Sequence, residues 1–139
     1  MSRLLHSQDV RFTAARRLVV RALADADGPV AAADLHQGLR HAVPLSSLYR
    51  TLAVLEQSRV LAKQHDGLGV ARYELAEWLA GHHHHLVCDS CGEVRDVPVP
   101  PETEHIITNL VGRIAARAGY RATGHRIDIE GTCRACRGR

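Results

Sequence analysis

The sequence predicts an α+β chain in two unequal parts, an N-terminal winged helix-turn-helix followed by a small α/β unit built on a four-cysteine zinc site. Three observations carry this expectation. The first half shows three short segments of helical apolar spacing and then a hairpin pattern; four histidines run from 82 to 85; and two Cys-x-x-Cys pairs use all 4 cysteines of the chain. At 139 residues the chain is long enough for one ordinary domain, or for two small ones that share stability by dimerising or holding a metal, and two small domains are expected.

Each element follows in order. Thr13 is placed to cap a first helix whose Val19, Ala22 and Leu23 recur at helical spacing, and Gly28-Pro29 punctuates its end. A second helix is expected over 31–40. Pro44 interrupts, Ser46 or Ser47 can cap the next segment, and Leu48, Leu52 and Leu55 then line one face of a third helix. Strands are expected over 59–64 and 70–75 around the turn at Asp66-Gly67, with Gly69 loosening the start of the second. Three helices and a hairpin make the winged helix-turn-helix order, which puts the third helix in the major groove and turns Ser46, Ser47, Tyr49 and Arg50 outward. The domain boundary is expected after residue 78, giving parts 1–78 and 79–139. Beyond it, 93–97 alternates as a strand, Pro98 to Pro101 is a stiff connector, 102–118 is helical through Ile106, Leu110, Val111 and Ile114, and 125–130 alternates again before the last cysteines.

Composition narrows the function. Hydrophobic residues at 45% and charged residues at 24% are globular proportions. No apolar run approaches the roughly 18 residues of a membrane span. Met1 to Val10 lacks the apolar core of a secretion signal, so a cytoplasmic location is expected. The net charge of +3 is uneven: residues 1–75 carry ten Lys/Arg against seven Asp/Glu, and residues 76–139 carry eight of each. A basic first half suits a polyanionic partner only weakly.

Chemistry concentrates in two places. Cys88, Cys91, Cys133 and Cys136 supply four thiolates at zinc spacing, and four protein ligands leave no open position, so the expected zinc is structural. In an extended segment alternate residues face opposite sides, which separates His83 and His85 from His82 and His84 and offers two imidazole pairs. Glu74, Glu77, His36, His65, Asp96, Glu104, His105 and His125 are further donors, each individually expected on the surface. No nucleophile stands beside a base, no glycine-rich loop has a phosphate-binding pattern, and no His-Glu-x-x-His occurs, which argues against an enzyme.

Arg11-Phe-Thr, Leu48-Tyr-Arg-Thr-Leu, the segment from His82 through Cys88-Asp-Ser-Cys91-Gly, and Gly131-Thr-Cys-Arg-Ala-Cys stand in one order over nearly the whole chain. In that order they resemble the ferric uptake regulator family, with its zinc-sensing subgroup favoured. The resemblance implies a homodimer with a C-terminal dimerisation domain that represses metal-homeostasis genes by binding a palindromic A·T-rich operator when a corepressor metal is held. Tyr49 and Arg50 match the family's base- and backbone-contacting pair, and Arg11 a basic residue near the minor groove. Glu74, His83 and His85 match its sensing site, with Glu77 competing for the position of Glu74. Pro29 occupies the place of the iron-sensing relatives' histidine and no cysteine follows the wing, so His65, or else His36, is expected to supply the ligand from the DNA-binding part. A further site maps onto His82, His84 and His125, with its carboxylate position falling on Thr108 and His105 or Glu104 one turn earlier as substitutes. Asp96 matches an acidic position of peroxide-sensing relatives. The histidine run favours zinc over iron(II) as the sensed metal. The rival from another class is a zinc-binding or storage module with no DNA function.

Overall fold

The computed structural model describes residues 12–40 and 42–138. Helix α1 (Ala14–Ala24) starts at Thr13, whose hydroxyl oxygen accepts the Arg16 N–H at 3.3 Å, satisfying one of the N–H groups a helix start leaves open. It buries Val19, Val20 and Leu23. A two-residue strand β1 (Val30–Ala31), too short to leave a pattern in sequence, leads into α2 (Ala32–Gly38). Helix α3 (Leu45–Gln57) is capped by Pro44 without a side-chain hydrogen bond. Ser46 and Ser47, expected as caps, therefore sit inside the first turn of α3. Leu48, Leu52 and Leu55 face inward, none more than 1% exposed, and pack with Val19, Leu23, Leu35, Val43 and Val60 in one apolar core.

Strands β2 (Leu61–His65) and β3 (Ala71–Leu75) form the wing, in a sheet of order β1-β3-β2. The first wing strand starts two residues later than its composition suggests, because Arg59 ends α3 in a left-handed conformation (φ 55°). The Arg59 N–H reaches the Glu56 carbonyl and the Val60 N–H the Leu55 carbonyl, each at 2.9 Å, the paired bonds of a Schellman helix end. In the wing turn Asp66 is buried and accepts the backbone N–H groups of Leu68 and Val70 at 2.9 Å and Arg72 Nε at 2.8 Å. Burial alone would raise its pKa, but these donors hold it below the ordinary carboxylate value.

A short helix α4 (Glu77–Ala80), not signalled by periodicity, joins the two halves. The second sheet has order β5-β4-β6, with β4 (His84–Cys88) central, antiparallel to β5 (Val94–Val97) and parallel to β6 (Asp128–Gly131). Helix α5 (Pro101–Arg117) begins on its proline run and has no buried side chain; Ile106, Leu110 and Ile114 are exposed. The strand expected from residue 125 starts only at Asp128, which leaves His125 in the preceding connection.

The halves meet closely. The Asp96 N–H donates to the Asp27 carbonyl at 3.1 Å. A Cβ on Gly28 would lie 2.9 Å from the Val94 carbonyl oxygen, so only glycine fits there. The wing turn also rests on the first cysteine pair, since a Cβ on Gly92 (φ 74°) would meet Asp66 Oδ2 at 3.0 Å. Among the described residues, no helix is long and apolar enough to cross a membrane.

Candidate metal centres and nucleic-acid interface

Three groups of four donors converge, each with its ligand atoms within 4.8 Å of one another. In the first, the tight turn after β4 presents Cys88 and Cys91, and the turns after β6 bring up Cys133 and Cys136. All four thiols are free. Cys91 Sγ and Cys133 Sγ are 3.9 Å apart, beyond disulfide bonding and close to the ~3.8 Å edge that tetrahedral Zn–S bonds of about 2.3 Å require. Backbone N–H groups of Cys133, Cys91 and Ser90 pull the Cys88 thiol down to about 6, whereas the Cys133 and Cys91 sulfurs push Cys136 up to about 12. Closely spaced thiols cannot all ionise without a cation among them, so this donor set suits zinc.

The second group joins the two halves. Glu74 on β3 places Oε2 3.0 Å from His83 Nε2 and 3.0 Å from His85 Nε2, and Asp96 on β5 brings Oδ1 to 3.6 Å from His85 Nε2. The outer ring nitrogens are also occupied: His83 Nδ1 donates to the Gly81 carbonyl at 2.9 Å, and His85 Nδ1 meets Asp128 Oδ1 at 3.1 Å. A carbonyl only accepts, so His83 Nδ1 carries a proton. Its Nε2 then faces a carboxylate either as part of an imidazolium or with a cation between them. Without metal, pairing with Glu74 favours the first outcome. Burial works against the charged form of His83, but its bond to Glu74 raises the pKa; His85 is raised foremost by its own bond to Glu74. Burial pushes Glu74 up, yet His85 and His83 hold it below its ordinary value, while burial raises Asp96.

The third group comprises His82, His84, Glu104 and His125. Glu104 Oε2 is 2.9 Å from His84 Nε2, and Oε1 is 2.9 Å from His125 Nε2 and 3.3 Å from His82 Nε2. The two nitrogens of His82 and His125 are themselves 3.3 Å apart. One carboxylate thus serves three rings, and contact with His84 foremost keeps it below its ordinary pKa. Three imidazoles and a carboxylate aimed at one point also suit a divalent cation.

The alternation of the histidine run into two pairs is seen directly, and Glu74 rather than Glu77 stands with His83 and His85. Two expectations need correction. His65 is not in the hinge group: it pairs with Ala71, whereas Glu74 pairs with Ala62, three residues or roughly 10 Å along the strand. Asp96 takes that place because the β4–β5 pairing sets it opposite His85. Counting outward from the Cys88–Gly92 turn could have found it, since Val87, Leu86 and His85 pair in turn with Val94, Arg95 and Asp96. His105 is likewise outside the third group and exposed; one residue on an α-helix is about 100° of rotation, and Glu104 holds the inward position. His36 lies in the last turn of α2, and Thr108 is exposed on α5.

On the opposite side of α3 from its buried leucines, Ser46, Tyr49 and Arg50 are exposed and Ser47 is half-buried. Tyr49, at 52% exposure, is a large aromatic that packing does not account for. Arg11 lies outside the described residues.

A winged helix with an open recognition face, joined to metal-donor clusters through its wing, defines a metal-binding DNA-binding regulator. The model of the ferric uptake regulator family matches residues 7–130. The ferric uptake regulation protein of Bacillus subtilis (strain 168) is 31% identical over 140 residues, covering 97% of this chain and 91% of that protein. The ferric uptake regulator of Vibrio cholerae shares the fold at 24% identity, with a TM-score of 0.74 over 94% of this chain and 98% of that one. A zinc-bound manganese uptake regulator gives 0.70 at 27% identity, covering 95% and 97%. The chain belongs to the ferric uptake regulator family; it is a metal-binding transcriptional regulator and not an enzyme.

Proposed function

We propose that the chain is a metal-dependent repressor that binds a palindromic A·T-rich operator as a homodimer, with Glu74, His83, His85 and Asp96 as its sensing site. The observation that carries this reading is the bridge across the hinge: Glu74 belongs to the wing sheet, whereas His83 and His85 lead into and lie on the central strand of the other half. A divalent cation held there would supply the positive charge that two carboxylates and two neutral imidazoles lack. Glu74 then fixes β3, and with it α3, against β4. Dimerisation would fix the separation of two recognition helices, so metal binding and operator binding strengthen each other by one factor. On α3, Tyr49 can pack on a thymine methyl and Arg50 can reach a phosphate or guanine edge, with Ser46 and Ser47 beside them and Arg11 as a minor-groove contact.

The exposed Ile106, Leu110 and Ile114 of α5 and the open edge of β6, where Ile129 is also exposed, support the dimer, because a partner copy would cover both. Cys88, Cys91, Cys133 and Cys136 would hold a structural zinc. With Asp96 in the place expected for His65, the sensing set is two nitrogens and two oxygens and contains no thiolate. That harder set, with the name of the Bacillus subtilis relative, favours iron(II) over zinc as corepressor.

The test is metal content per chain before and after mild chelation, paired with operator binding at fixed salt. One zinc is expected to survive while a second metal is lost, and its return is expected to restore binding about 5- to 150-fold. The restoring metal names the sensor. Absence of DNA binding with every metal would leave a metal-binding module as the better account.

A further inference from the structure

Trp78 is the only tryptophan of the chain. It lies on the hinge helix α4, is 48% exposed, and donates its indole N–H to the Arg59 carbonyl at 2.7 Å. Arg59 is the left-handed residue that closes α3, in a position where glycine is usual because a side chain makes that conformation costly. The indole therefore holds the carbonyl of the strained residue at the end of the recognition helix. The adjacent residue faces the other way. Glu77 Oε1 meets His82 Nδ1 at 2.7 Å, an arrangement that fixes the ring and leaves His82 Nε2 directed at Glu104 and His125. Helix α4 is also tied to the start of the wing by the Ala76 N–H on the Val60 carbonyl at 2.9 Å, and its own closing bond runs from the Gly81 N–H to the Glu77 carbonyl at 2.7 Å. Two neighbouring residues of one short helix thus touch the third donor group through Glu77 and the terminus of α3 through Trp78.

We propose that Trp78 is a positioning residue that couples the His82, His84, Glu104 and His125 group to the recognition helix, so that a cation at this group adjusts DNA affinity as well as bracing α5. Two features separate it from simple packing. The indole is half exposed, and its directed polar contact is the N–H on the Arg59 carbonyl. The route also bypasses Glu74, which gives the third donor group a path to α3 independent of the hinge site. The proposal rests on the reading of the chain as a metal-dependent DNA-binding regulator.

The test uses the full-length protein with its cysteine site filled and zinc(II) as the probe, in the variants Trp78→Phe, His125→Ala and the double variant. Each single change is expected to weaken operator binding about fivefold or more at saturating metal, and the double variant to be no weaker than either, because both cut one route. Glu77→Ala is expected to reproduce Trp78→Phe with the indole intact, and Glu77→Gln, which can still accept from His82, to restore binding. Filling the third group is expected to shift Trp78 emission and to slow amide exchange at Arg59 and Val60. The shift should vanish in His125→Ala, and the slowing in Trp78→Phe. Multiplying effects, or emission and exchange indifferent to zinc, would overturn the coupling. Should the unaltered protein fail to bind DNA with any metal, the repressor reading falls, and the emission and exchange responses still decide whether Trp78 links the two places.

Discussion

In the N-terminal half Leu48, Leu52 and Leu55 are sealed against Val19, Leu23 and Val60, whereas the long helix of the C-terminal half leaves Ile106 66% and Ile114 60% exposed. The buried residues of the second half include Cys88 and also His84 and His85, polar groups that burial ordinarily penalises. One half is therefore held by apolar area removed from water, which needs nothing from outside. The other is built around donor clusters that suit a cation, and it leaves apolar side chains uncovered. The environment can act on this molecule chiefly through its second half, and Glu74 is where that half grips the first.

The largest expected effect breaks the weaker half alone. Cys133→Ser, or stripping the zinc, is expected to unfold β6 and the last turns, since a structural zinc site contributes on the order of 10 kcal/mol to folding. Hydrogen exchange should show α1 to α3 still protected. Equal loss of protection in both halves would mean that they fold as one unit. The converse change, Leu52→Ala at a site 1% exposed, is expected to cost about 2–5 kcal/mol of N-terminal stability through cavity formation. It should lower the melting temperature while zinc content stays at one per chain. Loss of zinc in that variant would show that the core supports the cysteine site.

The smallest effect sharpens the boundary between the halves. The raised pKa values of His83 and His85 mean that, without metal, their ion pairs with Glu74 contribute fully below the ordinary histidine value of 6.5 and are lost as pH rises through the raised values. Glu74, with a lowered pKa, contributes above its ordinary value of 4.5 and loses that contribution as pH falls through the lowered one. Metal binding has the opposite slope, because it needs neutral imidazoles and releases their protons. From pH 6 to 8 the metal-free protein is expected to lose melting temperature while metal affinity rises. A metal-free melting temperature that climbs over this range would show that the ion pairs do not hold the hinge.

Local pattern explains which parts were legible beforehand. The winged-helix order, the two cysteine pairs and the division of the histidine run all follow from residues close in sequence, where helical and strand periods act directly. The hinge helix leaves no signal in sequence because Glu77–Ala80 is barely one turn and has no apolar repeat. The late start of the wing reflects an arginine adopting a conformation more often taken by glycine. His65 is a donor by type, but it sits at the far end of the hairpin from Glu74.

By itself the sequence determined the donor inventory, the elements that carry it and the family, because spacing along a chain selects residue types and faces. Only the tertiary structure decided which donors meet. Asp96 joins His85 through strand register, Glu104 replaces His105 through the rotation of α5, and Glu74 is separated from Glu77 because the chain turns from strand to helix between them. Register and helix phase are set by packing between distant segments, and no local period encodes them.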